Sequence, residues 1–209
     1  MVLMFLCFNV FMQLVKPDKP GIRAAVKVLR RGGVVAFPTD TAYGLGGVFD
    51  SLAVIRRVLR IKNRRDRKFT VVAADLAQVQ KFFKLKPAEL KLARQYWPGP
   101  LSLVVSPRLS VRVPGNKLTR DLAKLAGKPL IATSANRHGR PEIYSAAGVR
   151  REFAGQPDQP ELILDGGRLK QVKPSTVVKV VRGRIVVLRA GTIKIDLRFS
   201  NKCPISKLQ

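Results

Sequence analysis

Val34 to Gly47 reads VVAFPTDTAYGLGG: an apolar run, a Pro-Thr-Asp-Thr step, and three glycines among the last four residues. The apolar run has the length and composition of a short buried strand. Its polar end would set two hydroxyls and a carboxylate at a strand's carboxyl edge, where open α/β sheets place ligands. Gly44, Gly46 and Gly47 permit positive φ or close backbone approach to a ligand. Yet YGLGG fits neither the dinucleotide-binding spacing nor the Walker phosphate loop. Alone, the stretch reads equally as a ligand-lining loop or as a tight turn between two ordinary elements.

Outward from it, helical patterns alternate with short apolar runs. Residues 20–31 place Ile22, Ala25, Val26 and Leu29 on one helical face and Arg23, Lys27 and Arg30 on another, with Gly32-Gly33 as the stop. Ser51 can cap a second helix, with Leu52, Ile55, Val58 and Leu59 inward and Arg56, Arg57 and Arg60 outward. Further strands are expected at 69–74, 101–106, 111–113, 129–133 and 162–164, and helices at 75–83, 87–96, 118–126 and 145–153. A hairpin would join 176–181 to 185–189 through Arg182-Gly183-Arg184. The alternation predicts an α/β (α+β type) domain built on a mixed sheet.

The 209 residues, 46% of them hydrophobic, suit one domain with an ample core. Residues 12–195 are read as that domain, 1–11 as an apolar extension ahead of Met12, and 196–209 as a tail. The apolar start is too short to span a bilayer and has neither a basic flank nor a small-residue cleavage site, so no stable membrane insertion is expected. Forty Lys and Arg against 13 Asp and Glu give a formal charge of +27, a field that attracts polyanions. Cys7, Cys203 and the single histidine, His138, offer neither zinc-site spacing nor a disulfide framework. A reducing, cytoplasmic setting follows as the expectation.

Three more stretches carry polar chemistry. Ile55 to Lys68 holds eight cations against one anion, Asp66; Arg56 and Arg60 face solvent by helical spacing, while Lys62 and Arg64 fall in the loop beyond. Loop cations beside a glycine-rich turn suit a triphosphate. Gly127 to Asn136, GKPLIATSAN, ends a buried strand in hydroxyls and an amide. Pro174-Ser175-Thr176 opens the terminal hairpin and Arg189 closes it, while Arg112 lies between Val111 and Val113, so its head must reach a cleft or solvent. The single histidine, inside Arg137-His138-Gly139-Arg140, reads as a surface loop residue rather than a member of a Ser-His-Asp arrangement, and no carboxylate cluster suits metal-only chemistry. Cations, hydroxyls and glycines remain, an inventory for reactions of anions in which positioning and charge stabilisation dominate.

In order, GGVVAFPTDTAYGLGG, IKNRRDRKF, YWPGPLSLVV, VRVP, GKPLIATSANRHGRP, LDGG, PSTVV and VLRAG resemble the YrdC/TsaC family of threonylcarbamoyl-AMP synthases, across residues 13–193. The resemblance implies a YrdC-like twisted mixed β-sheet flanked by helices, with a basic concave cleft. It implies that L-threonine, bicarbonate and ATP react to give threonylcarbamoyl-adenylate and pyrophosphate, for modification of tRNA. By the same resemblance Lys62, Arg64 and Ser134 are catalytic, and with Asn136 and Arg189 they bind the nucleotide. Thr39, Tyr43, Arg112, Thr133 and Ser175 match positions on the threonine and carbamate side, with Tyr43 and residues 44–47 forming the wall. Mg²⁺ would arrive on ATP, with no resident metal and no organic cofactor. Contact of the basic surface with tRNA or dsRNA, and downstream proteins that transfer the threonylcarbamoyl group, complete the implied partners.

The chain departs from the family pattern in several places. Arg65 replaces a usual Pro, Phe69-Thr70 a Pro-Leu, Ala73 a frequent His, His138 a Ser and Ala190 a Pro, and the loop between Ser106 and Val111 is short. Two other functions use the same residues. A non-catalytic RNA-binding or ribosome-maturation module would exploit the charge, although 7% aromatic residues give little for base stacking. A carbamoyl-transferring domain of hydrogenase maturation proteins would share the fold inside a longer chain.

Overall fold

In the computed structural model, which describes residues 12–195, the strands are β1 (Gln13–Val15), β2 (Val35–Pro38), β3 (Tyr43–Gly46), β4 (Phe69–Val72), β5 (Leu101–Val104), β6 (Leu109–Arg112), β7 (Leu130–Ser134), β8 (Leu162–Leu164), β9 (Thr176–Val181) and β10 (Arg184–Arg189). The helices are α1 (Lys19–Arg30), α2 (Leu52–Lys62), α3 (Leu76–Phe82), α4 (Pro87–Tyr96), α5 (Lys117–Ala126) and α6 (Ala146–Phe153). Residues 1–11 and 196–209, expected as an extension and a tail, lie outside the described residues. The ten described strands form one sheet in the order β1-β8-β2-β3-β7-β4-β6-β5-β9-β10. Parallel pairs (β1–β8, β2–β8, β4–β6, β5–β9) mix with antiparallel ones, as expected for a mixed sheet.

Residues 34–47 form a hairpin. β2 and β3 pair antiparallel from Val35 opposite Gly46 to Pro38 opposite Tyr43, and β3 then pairs with β7. The expected glycine loop is therefore a central strand. Glycines are poor strand formers, and here packing overrides propensity: a Cβ on Gly46 would lie 1.6 Å from the Ile131 carbonyl oxygen, and one on Gly47 2.7 Å from that of Gly33. Only bare backbone lets β3 sit so close to its neighbours.

Alternation along β2 sends its residues to opposite faces. Val35 and Phe37 pack under α1 and α5 with Leu29, Leu122 and Leu162, whereas Val34 and Ala36 join Val54, Val149 and Phe153 of α2 and α6. A third cluster joins β5, β6 and β9 to α3 and α4 through Leu103, Val111, Val178, Val79 and Leu92. The helices start where capping chemistry allows: Asp18, Ser51, Asp75, Asn116 and Ser145 each accept a backbone N–H from the first turn. α2 ends on Asn63 and α5 on Gly127, both left-handed.

Several expectations are corrected. β1 was not foreseen; three residues carry too little pattern, and the parallel pairing with β8 that creates it is long-range. β6 begins at Leu109, not Val111, because its first residues pair with Phe69 and Thr70 of β4. Leu52 is 66% exposed rather than inward, since it starts α2 ahead of the buried stripe Val54, Val58, Ile61 and Lys62. Arg57 is not simply outward: its guanidinium pairs with Glu161, whose other oxygen accepts the Val34 N–H at 2.8 Å. The terminal hairpin turns on two residues, Arg182 and Gly183, both at positive φ (49° and 79°).

Candidate functional site

A cleft of about 530 Å³ opens between the β2–β3 turn, the ends of β4, β6 and β7, and the β9–β10 hairpin. Of the expected site residues it brings together Thr39, Tyr43, Arg64, Arg112, Thr133, Ser134, Ser175 and Arg189 on its wall, with Gly44 among them. Gly46 and Gly47 are not part of that wall. Lys62 and Asn136 stand behind it.

Lys62 is the last residue of α2, not a loop residue, and only 3% exposed. Its ammonium donates to the Ser134 carbonyl and, at 2.6 Å, to that of Asn136, with the Asn136 Oδ1 3.5 Å away. The Asn136 amide in turn donates to the Arg140 carbonyl. One buried amine thus pins the Ser-Ala-Asn turn to the end of α2. Burial, helped by the neighbouring charge of Arg64, lowers its pKa to about 8.

Arg64 follows the left-handed Asn63, which swings it to the cleft. It donates to Asp66 at 3.0 Å and to the Lys68 carbonyl at 2.7 Å, and lies over the Phe69 ring at 5.5 Å. On the facing hairpin, Arg189 donates to the Ser175 carbonyl and hydroxyl at 2.9 and 3.1 Å, and that hydroxyl meets Ser102 at 3.0 Å. Among the described residues the Thr133 and Ser134 hydroxyls, which line the same cleft as these cations, have no hydrogen-bond partner. They are available to a ligand.

Thr39 is committed locally. Its hydroxyl donates to the Ala42 carbonyl at 2.6 Å and accepts the Thr41 and Ala42 N–H groups, closing the β2–β3 turn. Tyr43 is fully buried; its hydroxyl donates to the Gly167 carbonyl (2.8 Å) and accepts the Gly166 N–H (3.0 Å). Burial and the charge of Asp165 push it up to about 12, so it stays a neutral strut.

Arg112 is the most deeply buried of the cleft's arginines, although Arg64 also leaves its Nε without a partner. It ends β6, is 5% exposed, and its Nη2 lies 3.2 Å from Oδ1 of Asp40 in the β2–β3 turn. The contact is not aligned as a hydrogen bond: Asp40 Oδ1 and Arg112 Nε and Nη1 are all buried without a partner. Burial lowers the guanidinium's pKa, with Asp40 opposing and Arg189 reinforcing, yet arginine stays charged. A buried fork with idle donors, in a cleft, is built for an anion that arrives from outside.

Sequence reasoning passed over other members of the wall. From the sequence Asp40 reads only as a carboxylate at the strand end. Glu142 is the carboxylate opposite the arginines and accepts the Tyr144 hydroxyl at 3.2 Å; no motif marked it. Thr70 and Ser110, paired at 3.0 Å on adjacent strands, also line the cleft. Only β4–β6 pairing brings them together, so nothing local could have shown them.

A mixed sheet with a cationic, hydroxyl-lined cleft fed by strand ends defines an α/β protein whose cleft has the chemistry to hold anions. The profile of the Sua5_yciO_yrdC family, described as telomere recombination, matches residues 27–191. The chain belongs to this family. It is similar to the threonylcarbamoyl-AMP synthase of Chromobacterium violaceum, 35% identical over 188 residues, covering 81% of this chain and 95% of that one. It is 34% identical over 190 residues to that of Pyrococcus abyssi, covering 84% of this chain but 55% of the relative, so it spans about half the length of the archaeal protein. Among solved structures, P. abyssi Sua5 complexed with L-threonine superposes with a TM-score of 0.75 at 33% identity, over 86% of this chain and 56% of that one. Escherichia coli YciO superposes at 0.72 and 27% identity, over 86% and 95%. HypF in its phosphate- and nucleotide-bound form, at 18% identity and 0.69, shares the fold.

Proposed function

We propose that this protein is a threonylcarbamoyl-AMP synthase, joining L-threonine, bicarbonate and ATP into threonylcarbamoyl-adenylate and pyrophosphate. The observation that carries the reading is the buried Arg112 with idle donors beside free Thr133 and Ser134 hydroxyls, in a cleft of a family whose relatives bear that name. Arg112 would grip the amino acid's carboxylate, with Thr39, Tyr43, Thr133 and Ser175 shaping its side of the cleft. Arg64, Arg189 and Ser134 would face the phosphates. Lys62 and Asn136 would act from behind, by fixing the turn that presents Ser134.

The chemistry suits this division. The threonine amine attacks CO2 derived from bicarbonate, loses a proton and becomes a carbamate. A carbamate oxygen then attacks the α-phosphorus, and the bond to the β-phosphate oxygen breaks to release pyrophosphate. Carbamate and triphosphate repel, so fixed cations and donors lower the barrier by holding both at once.

Among the described residues no three His, Cys, Asp or Glu side chains form a metal-binding group. The donors present fit Mg²⁺ carried on the nucleotide's own oxygens, where it would supply charge neutralisation, and Glu142, a carboxylate on the cleft wall, would be the residue to meet its bound water. No helix among the described residues is long and apolar enough to cross a membrane; the proposed setting is the cytoplasm. Proteins that transfer the threonylcarbamoyl group to tRNA would consume the product, and the +27 charge would favour tRNA contact.

The test is pyrophosphate release from purified protein with Mg-ATP and bicarbonate. Release that requires L-threonine supports the reading. Release indifferent to threonine, together with RNA binding at physiological salt, would replace it with the RNA-module reading.

A further inference from the structure

The Asp40–Arg112 contact is unusual for a structural ion pair. Such pairs align their hydrogen bonds, because a buried charge left unsatisfied is costly. Here the two groups touch, Nη2 to Oδ1 at 3.2 Å, yet Oδ1, Nε and Nη1 are all left without hydrogen bonds. Asp40 is held from the other side, its Oδ2 accepting the Gly115 N–H at 3.2 Å. The carboxylate is thus tethered where it neutralises Arg112 without engaging its fork.

A guanidinium grips a carboxylate along one of two edges, Nη1 with Nη2 or Nε with Nη2. Both edges include Nη2, the nitrogen that Asp40 already approaches. A substrate carboxylate seated on either edge therefore comes close to the Asp40 carboxylate. Arg189, near enough to disfavour the charge on Arg112, adds a second cation to the site.

We propose that Asp40 is a resident counter-anion for Arg112: it keeps the buried guanidinium neutralised while the cleft is empty, and competes with the carboxylate of the bound amino acid. This rests on the reading that L-threonine is the substrate and Arg112 its carboxylate partner. Asp40 keeps the free protein stable at the cost of a weaker grip, and it takes Arg112 back as ligand leaves. Its role is exercised through Arg112, so Asp40 is a positioning residue.

The experiment is calorimetric titration of wild type and Asp40→Asn with L-threonine and with L-threoninamide, which lacks the carboxylate. Asparagine keeps an acceptor for Gly115 and removes the charge. Asp40→Asn should bind L-threonine about five-fold tighter, with threoninamide little changed, and the free variant should melt at a lower temperature because Arg112 is left uncompensated. Equal or weaker binding of L-threonine overturns the proposal, and weakening of both ligands would place Asp40 on the amine instead. If Asp40→Asn does not fold alone, rescue by L-threonine but not by threoninamide supports the proposal, and rescue by both or neither overturns it. If wild type itself does not bind L-threonine, the substrate reading fails and takes this proposal with it; binding by wild type without the gain in the variant sinks the proposal alone.

Discussion

Lys62 shows how far one residue can be read from sequence. Its place beside Arg64 in a basic run marked it for phosphates, but the fold turns its ammonium onto the carbonyls of Ser134 and Asn136. Burial lowers its pKa to about 8 from 10.5. Between those values the unfolded chain holds the proton that the folded one has lost, so stability contributed at this position rises with pH and is flat well below 8. Denaturant unfolding of wild type and Lys62→Met from pH 7 to 10.5 should show the difference moving in favour of wild type by about 1–3 kcal/mol. A pH-independent difference would mean the amine keeps its proton throughout. Ser134, by contrast, presents a free hydroxyl to the cleft. Ser134→Ala should cut threonine-dependent pyrophosphate release by about 10- to 100-fold with an unchanged melting temperature; near-normal turnover would remove Ser134 from the site.

At the scale of elements, β3 was the part least legible from local pattern. Three glycines in a row of four signal a turn to any propensity rule, and the signal is misleading because the strand is central and its neighbours leave no room for side chains. Gly46→Ala should therefore destabilise the protein by about 3 kcal/mol or more, since the clash is with the backbone of Ile131 and not with a flexible side chain. A calorimetric melting temperature within a degree of wild type would show that β3 can slide. The helices were easier. Asp18, Ser51, Asp75, Asn116 and Ser145 stand at the starts of amphipathic runs, and cap geometry is a local matter. The partner of each strand is not local, which is why β1 and the pairing of Thr70 with Ser110 went unread.

For the whole molecule the charge of +27 is the dominant fact. Many cations are locally balanced, as in Arg57–Glu161, Arg60–Asp158 and Lys128–Asp50, but 13 acids cannot neutralise 40 bases. Folding concentrates the excess, so screening should stabilise the native state. The melting temperature should rise by several degrees, about 3–6, between 20 and 300 mM NaCl in scanning calorimetry. A fall would mean that specific ion pairs outweigh the general repulsion.

The sequence by itself determined the family, the kinds of chemistry present and the alternation of helix and strand, because motifs, caps and pleat periodicity are short-range and survive in one dimension. The tertiary structure alone decided which cations face the cleft and which brace it from behind. It made a central strand of Tyr43 to Gly46, where the glycines alone read as a turn, and set Asp40 against Arg112. Those outcomes depend on long-range strand pairing and on burial, which decide where a side chain's charge is satisfied and where it is left waiting for a ligand.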